Sequence, residues 1–176
     1  ALLEIADNPC QDIPLAAVLR SPVVGLTDEE LAEVRLCRRG TGLYEALLAA
    51  SASAPHLKPF LSRLDRWRTL VRQRPLPDAI WQLLEESSLY RVAGELAEGR
   101  QRQANLRALI GLARRFESTD GRGLGAFLDY LERLRESDAD LGPAAPGAEQ
   151  EQAVRIMSIH KAKGLEFPVV VLADLG

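Results

Sequence analysis

The sequence predicts a mainly α chain that closes on a short two-stranded β remnant of an α/β domain. Three observations carry this reading. Through most of residues 1–152 the apolar side chains return every three or four positions, the period of a helix face. The stretch Leu141-Gly142-Pro143-Ala144-Ala145-Pro146-Gly147-Ala148 then breaks the pattern with proline and glycine and no charge. Beyond it Val154 and Ile156 alternate as in a strand, and Val169-Val170-Val171-Leu172 is a continuous apolar run of the kind buried on both faces.

Each element follows from local signals. Leu2–Asp7 reads as a short helix stopped by Asn8-Pro9, and Pro14–Leu19 as a second, with Pro14 in its first turn. Thr27 followed by Glu30 is a capping box for a helix to about Arg38, ended by Gly40 and Gly42. Leu43–Ser51 is another short helix. Leu57, Phe60, Leu61, Leu64, Trp67 and Val71 mark one apolar face, closed by Pro75 and Pro77. Ala79–Ser87 continues with Ile80, Trp81, Leu83 and Leu84. Leu106, Leu109, Ile110, Ala113 and Phe116 place an amphipathic helix over Arg100–Glu117. Thr119 to Gly123 is a turn, and Leu124, Phe127, Leu128, Leu131 and Leu134 form the last helix face. The segment from Asp129 to Asp140 is net acidic and solvent-facing. Trp67 and Trp81 lie on or near apolar faces, which favours a core role over base stacking.

Composition narrows the function classes. A chain of 176 residues suits one domain, or one domain and a piece of another, and buries a core without metal or disulfide. Cys10 and Cys37 have no His or Cys at metal-ligand spacing, so zinc is not expected and a reducing cytoplasm is. No apolar run reaches the roughly 20 residues of a membrane span. No secretory signal is visible, and the first residue is Ala rather than Met. The net charge of -3 argues against a surface given wholly to nucleic acid. The basic residues are nearly all arginine and fall in two groups. Arg63, Arg66, Arg68, Arg72 and Arg74 form the first; Arg91, Arg100, Arg102, Arg107, Arg114 and Arg115 form a looser second. Arg63, Arg66 and Arg74 are candidates for a duplex backbone if they share an exposed face. Solvated faces, salt-bridged through Asp65, Glu85 and Glu86, or a partner surface are the other readings.

The polar loop from Ser158 to Glu166 holds the chemistry. Ser158 and His160 offer hydrogen bonds at a strand end, where α/β sheets bind ligands. Lys161 and Lys163 add two positive charges. Gly164 permits close backbone approach, and Glu166 accepts from a sugar hydroxyl or orients a cation. On chemistry alone, a phosphate-contacting loop and an exposed basic connection both stand.

The string Val154-Arg155-Ile156-Met157-Ser158-Ile159-His160-Lys161-Ala162-Lys163-Gly164-Leu165-Glu166-Phe167-Pro168-Val169-Val170 resembles motif V of the superfamily 1 UvrD/Rep-like helicases. Its Phe167-Pro168-Val169-Val170 is most similar to the large AddA- or RecB-like helicase–nuclease subunits. Asn8-Pro9, Asp12 to Leu15, Val18 to Pro22, Gly25-Leu26 and Glu29 to Leu31 resemble the stretch where such proteins leave their second RecA-like domain, 2A, and enter the helical 2B insert. Gln103 to Leu109 and Gly125 to Leu128 fit that insert more loosely.

The resemblance implies a piece of a larger ATP-dependent DNA motor. Residues 1–22 would lead from 2A into the insert, 23–140 would be the 2B-like helical domain, 141–152 a linker, and 153–176 the motif V strand-loop-strand of 2A. Ser158 and His160, with Lys161 assisting, would contact the DNA backbone and couple it to the nucleotide site. Gly164 would shape the turn, and Glu166 would lie near the nucleotide's ribose. Ser158 stands where Thr is commoner, and Ala162 where Ser often is. The parent would use ATP and Mg2+, with exonuclease activity and a part in double-strand break repair and recombination. This chain has no G-x-x-x-x-G-K-[ST] phosphate loop, so no bound cofactor and no catalysis are expected of it alone. The expected partners are single-stranded DNA through the motor, duplex DNA through the helical insert, and a partner helicase–nuclease subunit, with no membrane. The alternative is a protein-interaction or spacer domain without direct DNA binding.

Overall fold

The computed structural model describes residues 1–119, 121–136, 160 and 169–171. Residues Ala1–Pro146 form one compact unit and Gly147–Gly176 a second.

The first unit is helical. Its helices are α1 (Leu2–Asp7), α2 (Asp12–Arg20), α3 (Asp28–Cys37), α4 (Leu43–Ser53), α5 (Lys58–Gln73), α6 (Leu76–Glu86), α7 (Leu89–Glu95), α8 (Gly99–Ser118) and α9 (Leu124–Glu136), with a 3-10 turn at Pro55–Leu57 before α5. Thr27 caps α3 as its spacing predicts: its hydroxyl accepts from the Glu30 amide at 3.2 Å, and the Glu30 carboxylate accepts from the Thr27 amide at 2.8 Å. Pro77 does not end a helix. It occupies the first turn of α6, where no intrahelical donor is lost. Helix α7 carries no sequence signal. It starts on Ser88 at φ 59° and is only 7 residues long, held by packing on α6 and α8.

Helix α5 supplies the centre of the core. Phe60, Leu64, Trp67 and Val71 face inward at helical spacing. Helix α6 brings Ile80, Leu83 and Leu84 to the same cluster, α1 and α2 bring Ile5, Leu15 and Leu19, α8 brings Leu112 and Ala113, and α9 brings Phe127. Trp67 is fully buried, with Phe60 edge-on at 6.5 Å between ring centroids. Trp81 is half-buried and meets Tyr90 edge-on at 5.1 Å. Helix α1 packs on α2, α5 and α9, so residues 1–20 share the core of the later helices.

Of the predicted β remnant, Val154–Ser158 and Pro168, Leu172 and Ala173 lie outside the described residues. Val169, Val170 and Val171 are described; they carry no strand and are 80%, 64% and 87% exposed. Among the described residues nothing ladders against them, and a run without a paired neighbour makes no sheet. His160 has helical backbone geometry and is exposed, where the sequence places it in a loop at a strand end.

Candidate nucleic-acid interface

The three arginines proposed for duplex contact sit in different surroundings. Arg63, on α5, is half-buried: its Nη2 donates to the Val23 carbonyl at 3.1 Å and its guanidinium lies 5.8 Å from the Trp67 ring centroid. It ties the segment between α2 and α3 to α5. Arg66 is exposed and faces Glu86 at 3.5 Å. Arg74 lies at the C-cap of α5, exposed, with no side-chain partner among the described residues. Thus Arg63 is engaged with the fold and Arg66 is paired, while the guanidinium of Arg74 is available.

Glu86 explains the Arg66 pairing. Its Oε2 accepts from the Trp67 indole at 3.1 Å and its Oε1 from Gln82 at 2.9 Å. The carboxylate serves a buried indole first, and the exposed Arg66 completes its surroundings. An exposed pair of this kind contributes little to stability by itself.

The chain's topology brings arginines from separate stretches of sequence to one end of the helical unit. Helices α5 and α8 finish, and α6 and α9 begin, at one end of the helical unit. The amide of Leu76, first in α6, donates to Glu117 Oε1 in α8 at 2.7 Å, which fixes these ends together. Arg72 and Arg74 come from the end of α5, Arg114 and Arg115 from the end of α8, and Arg122 from the turn into α9. All five are exposed, and none has a side-chain partner among the described residues. A cleft of about 330 Å³ is lined by both Arg72 and Arg122, with Asp7 and Gly123. Gly123 takes φ 81°, a left-handed conformation that glycine adopts without strain, and this turn sets Arg122 beside the cleft. Asp7 also faces the start of α9, near Gly125. Sequence spacing could not pair Arg72 with Arg122, because 50 residues and three helices separate them.

The loop residues Ser158, Lys161, Lys163, Gly164 and Glu166 lie outside the described residues, and His160 is described and exposed. Cys10 and Cys37 are both exposed free thiols. Among the described residues no group of three metal-ligating side chains occurs, and no helix is long and apolar enough to cross a membrane.

A second surface is apolar. Ile13, Ala16, Leu31, Ala32 and Leu43 line an open groove of about 440 Å³ between α2 and α3, bordered by Asp12, Asp28 and Arg35. Ile13 is 85% exposed.

Comparison with known proteins agrees with the motif. The AddA chain of the ATP-dependent helicase/nuclease from Anoxybacillus flavithermus is 52% identical over 98% of this chain, which covers 15% of that relative. Its namesake from Geobacillus kaustophilus is 51% identical over 99% of the chain, again 15% of the relative. That of Listeria welshimeri is 47% identical over 99%, and 15% of its own length is covered. The chain therefore spans about 15% of the curated relatives it matches. Residues 51–176 match the model of the UvrD-like helicase C-terminal domain, well over half of the sequence. The chain belongs to the UvrD-like helicase C-terminal domain family.

Proposed function

We propose that this chain is part of an ATP-dependent DNA helicase/nuclease serving DNA double-strand break repair, in which the helical unit touches duplex DNA and gates the motor. The observation that supports it most is the 52% identity over nearly the whole chain to a relative named for that activity. Residues 1–22 lead into the helical domain, 23–140 form it, 141–152 link it, and 153–176 supply motif V. In that motif Ser158, His160 and Lys161 contact the backbone of single-stranded DNA and couple it to the nucleotide, and Gly164 and Glu166 lie beside the nucleotide. ATP and Mg2+ are held mainly by other parts of the parent, since this chain has no phosphate-cradling glycine loop. The parent works in the cytoplasm with a partner protein of the same helicase–nuclease. Of Arg63, Arg66 and Arg74, the last is the best placed for a duplex phosphate, because its charge has no partner among the described residues.

The test is fluorescence anisotropy of the full chain with labelled single-stranded, duplex and forked DNA at about 50 and 200 mM salt, where phosphate contacts weaken steeply. Salt-sensitive binding to duplex or fork is the expected result. No binding at either salt would remove duplex contact from the reading.

A second reading rests on the exposed Ile13 and the apolar groove between α2 and α3. A surface of that kind suits a protein neighbour better than DNA. On this reading the unit positions a partner protein without touching DNA.

A further inference from the structure

The five arginines gathered where α5 and α8 finish call for an explanation beyond solubility. Some exposed arginines elsewhere in the unit have carboxylate partners, as Arg20 with Asp28 at 2.8 Å and Arg91 with Glu95 at 2.8 Å, while Arg38 and Arg39, which line no cleft with a second arginine, form no ion pair among the described residues. At the shared end of α5 and α8 the described acids are Asp7, Asp78 and Glu117, and Glu117 is committed to the Leu76 amide. None of the three forms an ion pair with Arg72, Arg74, Arg114, Arg115 or Arg122 within 4.0 Å. Five positive charges are thus concentrated in a chain whose net charge is -3. Concentrating guanidinium groups that have no carboxylate partner among the described residues costs self-repulsion, which an anionic ligand relieves.

We propose that this end of the helical unit is its duplex-backbone site. Arg72 from α5 and Arg122 from the α8–α9 turn grip phosphodiester oxygens at the cleft, and Arg74, Arg114 and Arg115 extend the contact along the strand. The inference rests on the reading that the helical unit meets duplex DNA, and it names the surface that does so. Guanidinium suits the task because its planar donor fork matches two phosphate oxygens at once. The contacts are to backbone rather than to bases, so the site tracks duplex of any sequence, as a motor that moves along DNA needs. Asp7, the acid among the described cleft residues, opposes the ligand and limits its affinity.

The experiment compares four forms of the full chain by anisotropy on a labelled duplex across about 50 to 200 mM salt. The wild type should show a log–log salt slope near -4 to -5 if all five arginines take a phosphate, at about 0.9 per contact. Arg72→Gln with Arg122→Gln should flatten the slope by about 2 and weaken binding at least tenfold at the low-salt end. Arg20→Gln with Arg91→Gln removes the same charge from two paired sites and should change affinity by no more than about twofold. Asp7→Asn should tighten binding. Circular dichroism checks the fold, and Arg74→Gln with Arg114→Gln repeats the test outside the cleft if the first pair unfolds the protein. Wild-type binding that the cleft pair leaves unchanged, or that the paired-site control weakens equally, overturns this site while duplex contact stands. A wild type that binds no duplex overturns both.

Discussion

The indole of Trp67, with no solvent exposure, donates to the carboxylate of Glu86 at 3.1 Å across the α5–α6 packing. The pair makes a polar link at the margin of an apolar contact, where Arg66 also meets Glu86. Glu86→Ala leaves the indole donor unsatisfied and should cost about 1–3 kcal/mol. Trp67→Ala removes the ring as well and should cost about 3–5 kcal/mol. Trp67→Phe removes the donor while keeping most of the volume, so adding it to Glu86→Ala should cost less than the sum of the two. Urea unfolding of the single and double variants measures the coupling.

Two glycines in α8 should respond oppositely to alanine. A Cβ on Gly99 would lie 2.1 Å from the Gly94 carbonyl oxygen, in the tight turn between α7 and α8 that follows Glu98 at φ 55°. Gly99→Ala should therefore destabilise by about 1–3 kcal/mol through forced backbone movement. At Gly111, in mid-helix, a Cβ would meet only Arg115 Nη1 at 3.8 Å. Gly111→Ala should stabilise by about 0.5–1 kcal/mol. Thermal unfolding midpoints that shift in opposite directions are the expected outcome.

The start of α3 should weaken in acid. The Glu29 carboxyl is held below the ordinary carboxylate range by a backbone hydrogen bond first and the Thr27 hydroxyl second. A carboxyl with a depressed folded-state pKa contributes stability above its unfolded value and loses it as pH falls through the folded one. Thr27→Ala removes both the cap and that hydroxyl. It should cost about 1 kcal/mol near neutral pH, and the difference from wild type should narrow as carboxylates protonate. Denaturant midpoints of the two proteins across the acid range test it.

Tyr44 should titrate late. Burial is the main cause of its raised pKa, the Asp65 carboxylate adds to it, and the Arg68 guanidinium opposes it. A raised tyrosine pKa means that the contribution is complete below the unfolded value near 10 and is lost as pH rises through the folded one. In an alkaline absorbance titration, one of the chain's 3 tyrosines should ionise above the ordinary range, and Tyr44→Phe should remove that phase.

Local chemistry made much of the helical unit legible. The Thr27–Glu30 spacing gave the α3 cap, and the period of Phe60, Leu64, Trp67 and Val71 gave the buried face of α5. Helix α7 escaped because it is short, starts on a left-handed serine and owes its position to neighbouring helices. Pro77 misled because proline marks both the end of one helix and the first turn of the next. The motif at 154–170 was the strongest signal of family, yet most of it lies outside the described residues. The basic end was hidden for a topological reason: Arg72 and Arg122 line one cleft only after the helices between them have packed.

Two helices borrow their caps from far along the chain. The amide of Leu43, first in α4, donates to Asp12 Oδ1 at 2.8 Å across 31 residues, and that of Leu76 donates to Glu117 across 41. Neither helix start can be satisfied in a short excised peptide. The isolated α4 and α6 segments should fray from their first turns, while in the intact unit those two amides are sealed by distant docking. Their protons should be among the slowest to exchange with heavy water, released with the cooperative opening of the whole bundle rather than by local breathing.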